Sequence, residues 1–360
     1  MNQAELVGKV QTVLGLIDAD SLGVTSPHEH LLHEMSAYFV EPTEATERRL
    51  AHEPVSLENL WWVRSHCVTN LDNITMGDEQ LAIKEALFFK RAGGDTIVEL
   101  TSIGMCRDPL GLARVARATG LNIIMGSGYY IAMSHPPELA TKTEEEISEE
   151  IVRDIMVGVG STGVRAGIIG EIGCSEPLTE IERRVLRAAA TAQQRTGAAI
   201  NVHPVASDDL TLQIISILSD AGADLSRTII SHVDIWNYNR TTCHKLADAG
   251  CYIEYDSLRS NAEIYPPHYL HPRLKETPSN LQVIDTIIDL IGEGYLSRLL
   301  VAQDTAYKHH LVAYGGCGYA HILRDIVPVM RYKGISNEQI HTLLVENPKR
   351  VLQFAPVKQT

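Results

Sequence analysis

Short apolar runs rich in β-branched residues alternate along the whole chain with longer stretches whose apolar positions recur every three or four residues. The short runs predict strands near 22–28, 94–100, 121–127, 166–171, 198–203, 227–232, 251–256 and 299–304. The amphipathic stretches predict helices over 78–92, 143–160, 179–196, 207–222, 240–249, 281–291 and 319–333. Gly93-Gly94 reads as a helix stop, and Thr179 followed by Glu182 as a capping box. Eight strand–helix units without a glycine fingerprint after the first strand predict an α/β fold, a (β/α)8 or TIM barrel, rather than a doubly wound sheet. No linker divides the chain, so residues 1–360 are expected to form a single domain. Two connections are long, 31–75 after the first strand and 256–280 after the seventh, as functional loops or loops with their own short helices often are.

The strand ends bring chemistry into this picture. His28-Glu29-His30 closes the first strand, and period-two alternation puts both imidazoles on one face. Taken alone, such a pair is weak evidence and is better read as two solvated or hydrogen-bonded histidines. Four other apolar runs, however, end in Glu171, His203, His232 and Asp304. In a barrel these C-terminal strand ends converge on one place, and five of them together point to a dinuclear metal site.

Composition narrows the partners. The chain is 44% hydrophobic and 21% charged with a formal net charge of −14, values that suit a globular protein with a small-molecule substrate. They argue against a broad nucleic-acid or anionic-membrane surface. No secretory signal pattern and no run of about 18 apolar residues is present, so neither export nor membrane insertion is expected. Cys67, Cys106, Cys174, Cys243, Cys251 and Cys317 form no CxxC pair and read as reduced thiols in a cytoplasmic protein.

The segments GVTSPHEHLL, RAGIIGEIG with LTEIERRVLRAAA, INVHP, SHVD, AQDT, YGGCGYAHILRDIVPVMRYKGIS and ENPKRVL follow one another across essentially the whole sequence. In that order they resemble the amidohydrolase superfamily, within its phosphotriesterase-related group. The resemblance implies a two-metal hydrolase. His28, His30 and Asp304 would hold the more buried ion, and His203 and His232 the more exposed one. Glu171 would bridge them where some relatives carry a carboxylated lysine. Zinc is the first expectation for both ions, with manganese, iron or cobalt as alternatives. Two such cations lower the pKa of a shared water towards neutrality. Asp304 would orient that nucleophile and take its proton, and His232 would double as a proton partner.

The expected reaction is hydrolysis of a carboxylic ester, lactone or amide of a small molecule. The alternatives are an organophosphate triesterase, set second by the plain glutamate at the bridge, and a non-catalytic small-molecule-binding barrel. Substrate contacts are expected from Tyr129, Tyr130, Arg259 and Lys308, each weighed against a packing or solvated role. The seventh loop also offers Tyr265, His268, Tyr269, His271 and Arg273, and the eighth His309 and His310. Asp234 either buffers a ligand imidazole or starts a helix, Glu99 faces the pocket or pairs with a neighbouring base, and Trp61-Trp62 covers the pocket or meets a second subunit. His33, His52, His66, His135, His244, His321 and His341 read as structural. A homodimer is expected on general grounds.

Overall fold

The computed structural model describes residues 5–259 and 277–357. Eight strands form one parallel sheet in sequence order: β1 (Thr25–Glu29), β2 (Thr96–Glu99), β3 (Asn122–Ser127), β4 (Ile168–Gly173), β5 (Ile200–His203), β6 (Thr228–Ile230), β7 (Tyr252–Tyr255) and β8 (Leu299–Val301). Past the last ladder the Asp304 N–H donates to the His28 carbonyl at 3.2 Å, bringing β8 back to β1 and closing the barrel. The predicted (β/α)8 architecture is therefore the observed one.

Alternation within each strand explains both cores. Val98, Leu100, Ile124, Ile168, Ala199, Ile229, Tyr252 and Leu300 fill the barrel interior, where Val10 of the N-terminal hairpin (Lys9–Thr12 with Gly15–Asp18) also packs. The intervening residues, among them Ile123, Ile200, Val202, Ile230, Ile253 and Val301, face outward against the helices. The inward set changes character towards the C-terminal end. In β5 it runs from apolar Ala199 through polar Asn201 to His203, and around β7 from Tyr252 through Glu254 to Asp256. An apolar floor thus carries a buried polar layer, and that layer carries the site.

The helices that follow the strands include α1 (Glu79–Arg91), α2 (Pro109–Thr119), α3 (Glu144–Met156), α4 (Glu180–Thr196), α5 (Asp208–Asp220), α6 (Arg240–Asp248), α7 (Asn280–Gly292) and α8 (Val327–Tyr332). The capping box at Thr179 and Glu182 is present, and α3 and α7 begin with the same device at Thr143–Glu146 and Ser279–Gln282. Helix α2 is absent from the sequence reading although its ends are marked, with Asp108 accepting from Gly111 N, Pro109 in the first turn and Gly120 left-handed at φ +67°. The predicted 319–333 helix is present over 321–332, its first part a π-helical stretch at Ile322–Ile326 that runs without a break into α8.

The 31–75 connection is an organised insertion. It carries two short helices, Ala45–His52 and Leu60–Val63. A two-stranded antiparallel ribbon closes its neck by pairing His33 with Met76 and Glu34 with Thr75. Trp62 packs inside the insertion, stacked on His66 at 4.5 Å, while Trp61 is exposed. Neither tryptophan reaches the cavity wall, so the expected pocket cover comes from other residues of the loop. No helix among the described residues is long and apolar enough to cross a membrane.

Candidate metal centre and substrate cavity

The six strand-end residues His28, His30, Glu171, His203, His232 and Asp304 come together at the C-terminal mouth of the barrel. Glu171 Oε1 lies 2.7 Å from both His203 Nδ1 and His232 Nε2, and 3.7 Å from His28 Nε2. Asp304 Oδ1 lies 3.4 Å from His30 Nε2 and 3.9 Å from His28 Nε2. His28, His30 and Asp304 form one group with metal-ligand spacing, and His28, Glu171 and His232 form another. The Glu171 carboxylate therefore stands between the imidazoles of β1 and those of β5 and β6.

The chain reaches these positions through unusual backbone. His232 and Asp304 have φ of +60° and +50°, the left-handed region that non-glycine residues seldom occupy. Each residue turns sharply off its strand there. Gly170, just before Glu171, has φ +134°, and a Cβ on it would sit 2.4 Å from the Asn201 carbonyl oxygen. Only glycine lets β4 approach β5 closely enough to deliver Glu171.

Buried hydrogen bonds fix which nitrogen each imidazole presents. His28 Nδ1 donates to Glu254 Oε2 at 2.9 Å, and His232 Nδ1 to Asp256 Oδ1 at 2.9 Å. His30 Nδ1 lies 3.0 Å from the Thr101 hydroxyl, which itself donates to Glu99 Oε1 at 2.6 Å. Thr101 Oγ1 is thus left to accept from His30. In the neutral form of all three rings the proton belongs on Nδ1 and the Nε2 lone pair faces the cluster. His28 Nε2 is buried with no hydrogen-bond partner. A buried, partnerless lone pair beside carboxylates is a donor set that fits a divalent transition cation.

The field points the same way. Burial opposes charge on His28, yet Glu171, the bond to Glu254 and nearby Asp256 outweigh it and raise its pKa to about 10. His232 is also raised, with burial again overcome by Asp256 and Glu171. Burial works against ionised Glu171, but His203, His28 and His232 hold it well below the usual carboxylate range. Asp304 likewise stays ionised against burial, through His30 and Arg259. The cluster attracts positive charge.

A cavity of about 320 Å³ opens above it. His30, Glu171, His203, His232 and Asp304 line its base, and Met35, Ile131, Met133, Val205, Ile235 and Trp236 are among its apolar walls. Arg259 is the one lysine or arginine among the described lining residues, and its Nη1 bonds the carbonyl of Gln303 at 2.9 Å and Asp304 Oδ2 at 3.3 Å. Tyr130 also lines the cavity, its hydroxyl 3.5 Å from His203 Nδ1 and 3.0 Å from that of Tyr38.

Two expected substrate contacts are corrected. Tyr129 turns the other way, donating to Glu150 at 2.6 Å and accepting from Lys142 at 2.8 Å, because the positive φ of Gly128 ends the strand and reorients the pair. Lys308 is drawn under the loop by its ion pair with Asp72 and is absent from the cavity wall. Asp234 is not the partner of His232 either. It accepts from Ser257 N at 2.8 Å, and Asp256 takes the imidazole. Burial and Asp256 push the Asp234 carboxyl up to about 7. His309 is held by Asn73 below the loop. Tyr265, His268, Tyr269, His271 and Arg273 lie outside the described residues. Glu254, Asp256 and Thr101 were missed, although Glu254-Tyr255-Asp256 carries the same alternation signal as His28-Glu29-His30.

Four imidazoles and two carboxylates gathered at the C-terminal end of a (β/α)8 barrel define a hydrolase of the amidohydrolase class. The model of the phosphotriesterase family matches residues 8–352. An N-acetyltaurine hydrolase of Dictyostelium discoideum is 40% identical, over 97% of this chain and 98% of its own length. The human N-acetyltaurine hydrolase is 39% identical, over 98% and 99%. Among solved structures, a resiniferatoxin-binding protein from Rhodobacter sphaeroides is similar at TM-score 0.91 and 35% identity, covering 96% of this chain and 95% of that one. The chain belongs to the phosphotriesterase family, and its bridging position carries glutamate.

Proposed function

We propose that this hydrolase cleaves the amide bond of a small N-acyl amine bearing an anionic group, with N-acetyltaurine as the first candidate, and that it does so with two divalent cations. The observation that carries the reading is the convergence of His28 Nε2, His30 Nε2, His232 Nε2 and His203 Nδ1 on Glu171 and Asp304 at the base of the cavity. The names of the most similar relatives support the substrate class.

In this reading His28, His30 and Asp304 would hold one cation, His203 and His232 the other, and Glu171 would be a ligand available to both. When bound, the cations supply Lewis-acid polarisation of the acyl oxygen and acidify water. Asp304, kept ionised and steadied by Arg259, accepts a proton from the attacking water and passes it to the departing amine. Water and amide thereby become carboxylic acid and amine. The planar guanidinium of Arg259 can add an anionic substrate tail to the contacts it already makes. In this reading Tyr130, beside His203, would meet the acyl oxygen, and the apolar walls would exclude bulk water.

The test is proton NMR of acetate release from N-acetyltaurine by the full chain reconstituted with zinc or manganese. Release by wild type, at least about 100-fold slower in Asp304→Asn, is the expected result. A second reading, a binding barrel, is favoured by the apolar walls and by the similar protein named for binding resiniferatoxin. Intact N-acetyltaurine, together with intact neutral amides, lactones and phosphotriesters, would turn the conclusion to that reading.

A further inference from the structure

Glu254 is fully buried in the polar layer beneath the site, and one of its oxygens gathers contacts from three other strands. Its Oε2 accepts from His28 Nδ1 at 2.9 Å, from Asn201 Nδ2 at 3.2 Å and from the Ser231 hydroxyl at 2.8 Å. His28 belongs to β1, Asn201 to β5 two residues before His203, and Ser231 follows β6 immediately before His232. Ser231 Oγ also lies 3.0 Å from Asn201 Oδ1, so its single hydroxyl proton is within reach of both Asn201 and Glu254. Asp256, two residues further along, contacts less of the site. It takes the ring and main-chain N–H of His232, each at 2.9 Å, with His28 Nδ1 more distant at 3.4 Å.

We propose that Glu254 is a positioning residue shared by both halves of the metal centre, setting the ring of His28 directly and the chain leading into His203 and His232 through Asn201 and Ser231. The proposal rests on the two-cation reading above. The bond from His28 Nδ1 leaves that ring one orientation in which Nε2 faces Glu171 and Asp304. Without the carboxylate, neither the tautomer nor the rotation of the ring is specified, and the buried donors of Asn201 and Ser231 lose an acceptor. A carboxylate serving one imidazole would tune one ion. One that ties β1, β5 and β6 together makes the affinities of both ions fall in step.

The test measures metal directly. Full-length wild type, Glu254→Gln, Glu254→Leu and Asp256→Asn are equilibrated by dialysis against buffered free zinc, bound zinc is counted by elemental analysis, and circular dichroism monitors the fold. Wild type is expected to bind two ions. Glu254→Gln should move both binding midpoints to about 10-fold higher free zinc, and Glu254→Leu to about 100-fold. Asp256→Asn should weaken chiefly the ion held by His203 and His232. Cobalt-loaded Glu254→Gln should also show altered visible absorption, as reoriented ligands require. Glu254→Gln keeps the shape of the side chain and decides the matter if Glu254→Leu fails to fold. Two ions bound at wild-type midpoints in Glu254→Gln, or one midpoint moved and the other unmoved, would overturn the shared role. A wild type that retains no ion would instead overturn the two-cation reading and the proposal with it.

Discussion

Glu29, flanked by two predicted metal ligands, turns away from the cluster and accepts the main-chain N–H of Thr305 at 2.8 Å. Its other oxygen takes Gln303 Nε2 at 3.1 Å and the Ser26 hydroxyl at 2.7 Å. The residue between the β1 imidazoles therefore holds both neighbours of Asp304. Glu29→Ala should strand these buried donors, cost roughly 2–4 kcal/mol by urea unfolding, and lower turnover by loosening Asp304. Unchanged unfolding midpoint and turnover would show that the seam closes without it.

The adjacent tyrosines should separate cleanly. Tyr130→Phe removes a hydroxyl from the cavity and should reduce kcat/KM by about 10-fold with little loss of stability. Tyr129→Phe removes the hydroxyl's bonds to Glu150 and Lys142 and should cost about 1 kcal/mol in thermal unfolding while leaving kcat/KM within about twofold. Reversed effects would mean that the opposite ring faces substrate.

A pH dependence of stability follows from the same trio. Burial works against ionised Glu150, but the bonds from Lys142 and Tyr129 prevail and hold its pKa below the ordinary value. Its contribution is therefore complete above the unfolded-state pKa and is lost as pH falls through the lower folded value. Lys142→Met should remove about 1 kcal/mol at pH 7 and flatten the fall in stability below about pH 4.5. Urea unfolding at a series of pH values checks it, and parallel curves for wild type and variant would refute it.

Thiol reactivity should divide the cysteines. Cys106 is exposed and Cys317 half-buried, whereas Cys67, Cys174, Cys243 and Cys251 are buried. Burial pushes Cys243 up to about 11 and Cys251 up to about 12, so the thiolate fraction of each at pH 8 is very small. A thiol reagent should modify Cys106 first and Cys317 second, and the other four only after denaturation. Peptide mapping that found Cys174 or Cys251 labelled early would contradict the packing around them.

The fold was legible because each strand and helix repeats its own period, and the candidate ligands because they end strands. What escaped has physical causes. Helix α2 has Gly111, a poor helix former, in its first turn, packed against the Asp108 carboxylate and the Leu32 methyl. The partner of His232 was sought at Asp234, but the left-handed turn at His232 breaks the alternation, and Asp256 arrives from the next strand. Tyr129 and Tyr130 follow a positive-φ glycine, beyond which strand parity no longer tells which side chain faces inward. Arg259 was found in sequence, while its bond to Asp304 depends on the spacing of β7 and β8.

The ribbon at His33–Glu34 and Thr75–Met76 brings the insertion back to the point where it left the barrel. Met35 and Tyr38, which face the cavity, belong to that excursion, while Glu171, His203, His232 and Asp304 belong to the strands and their ends. Selection can therefore rewrite part of the wall by exchanging one clasped loop, leaving the strand-borne floor unedited. Descendants of such a barrel can change diet without relearning chemistry.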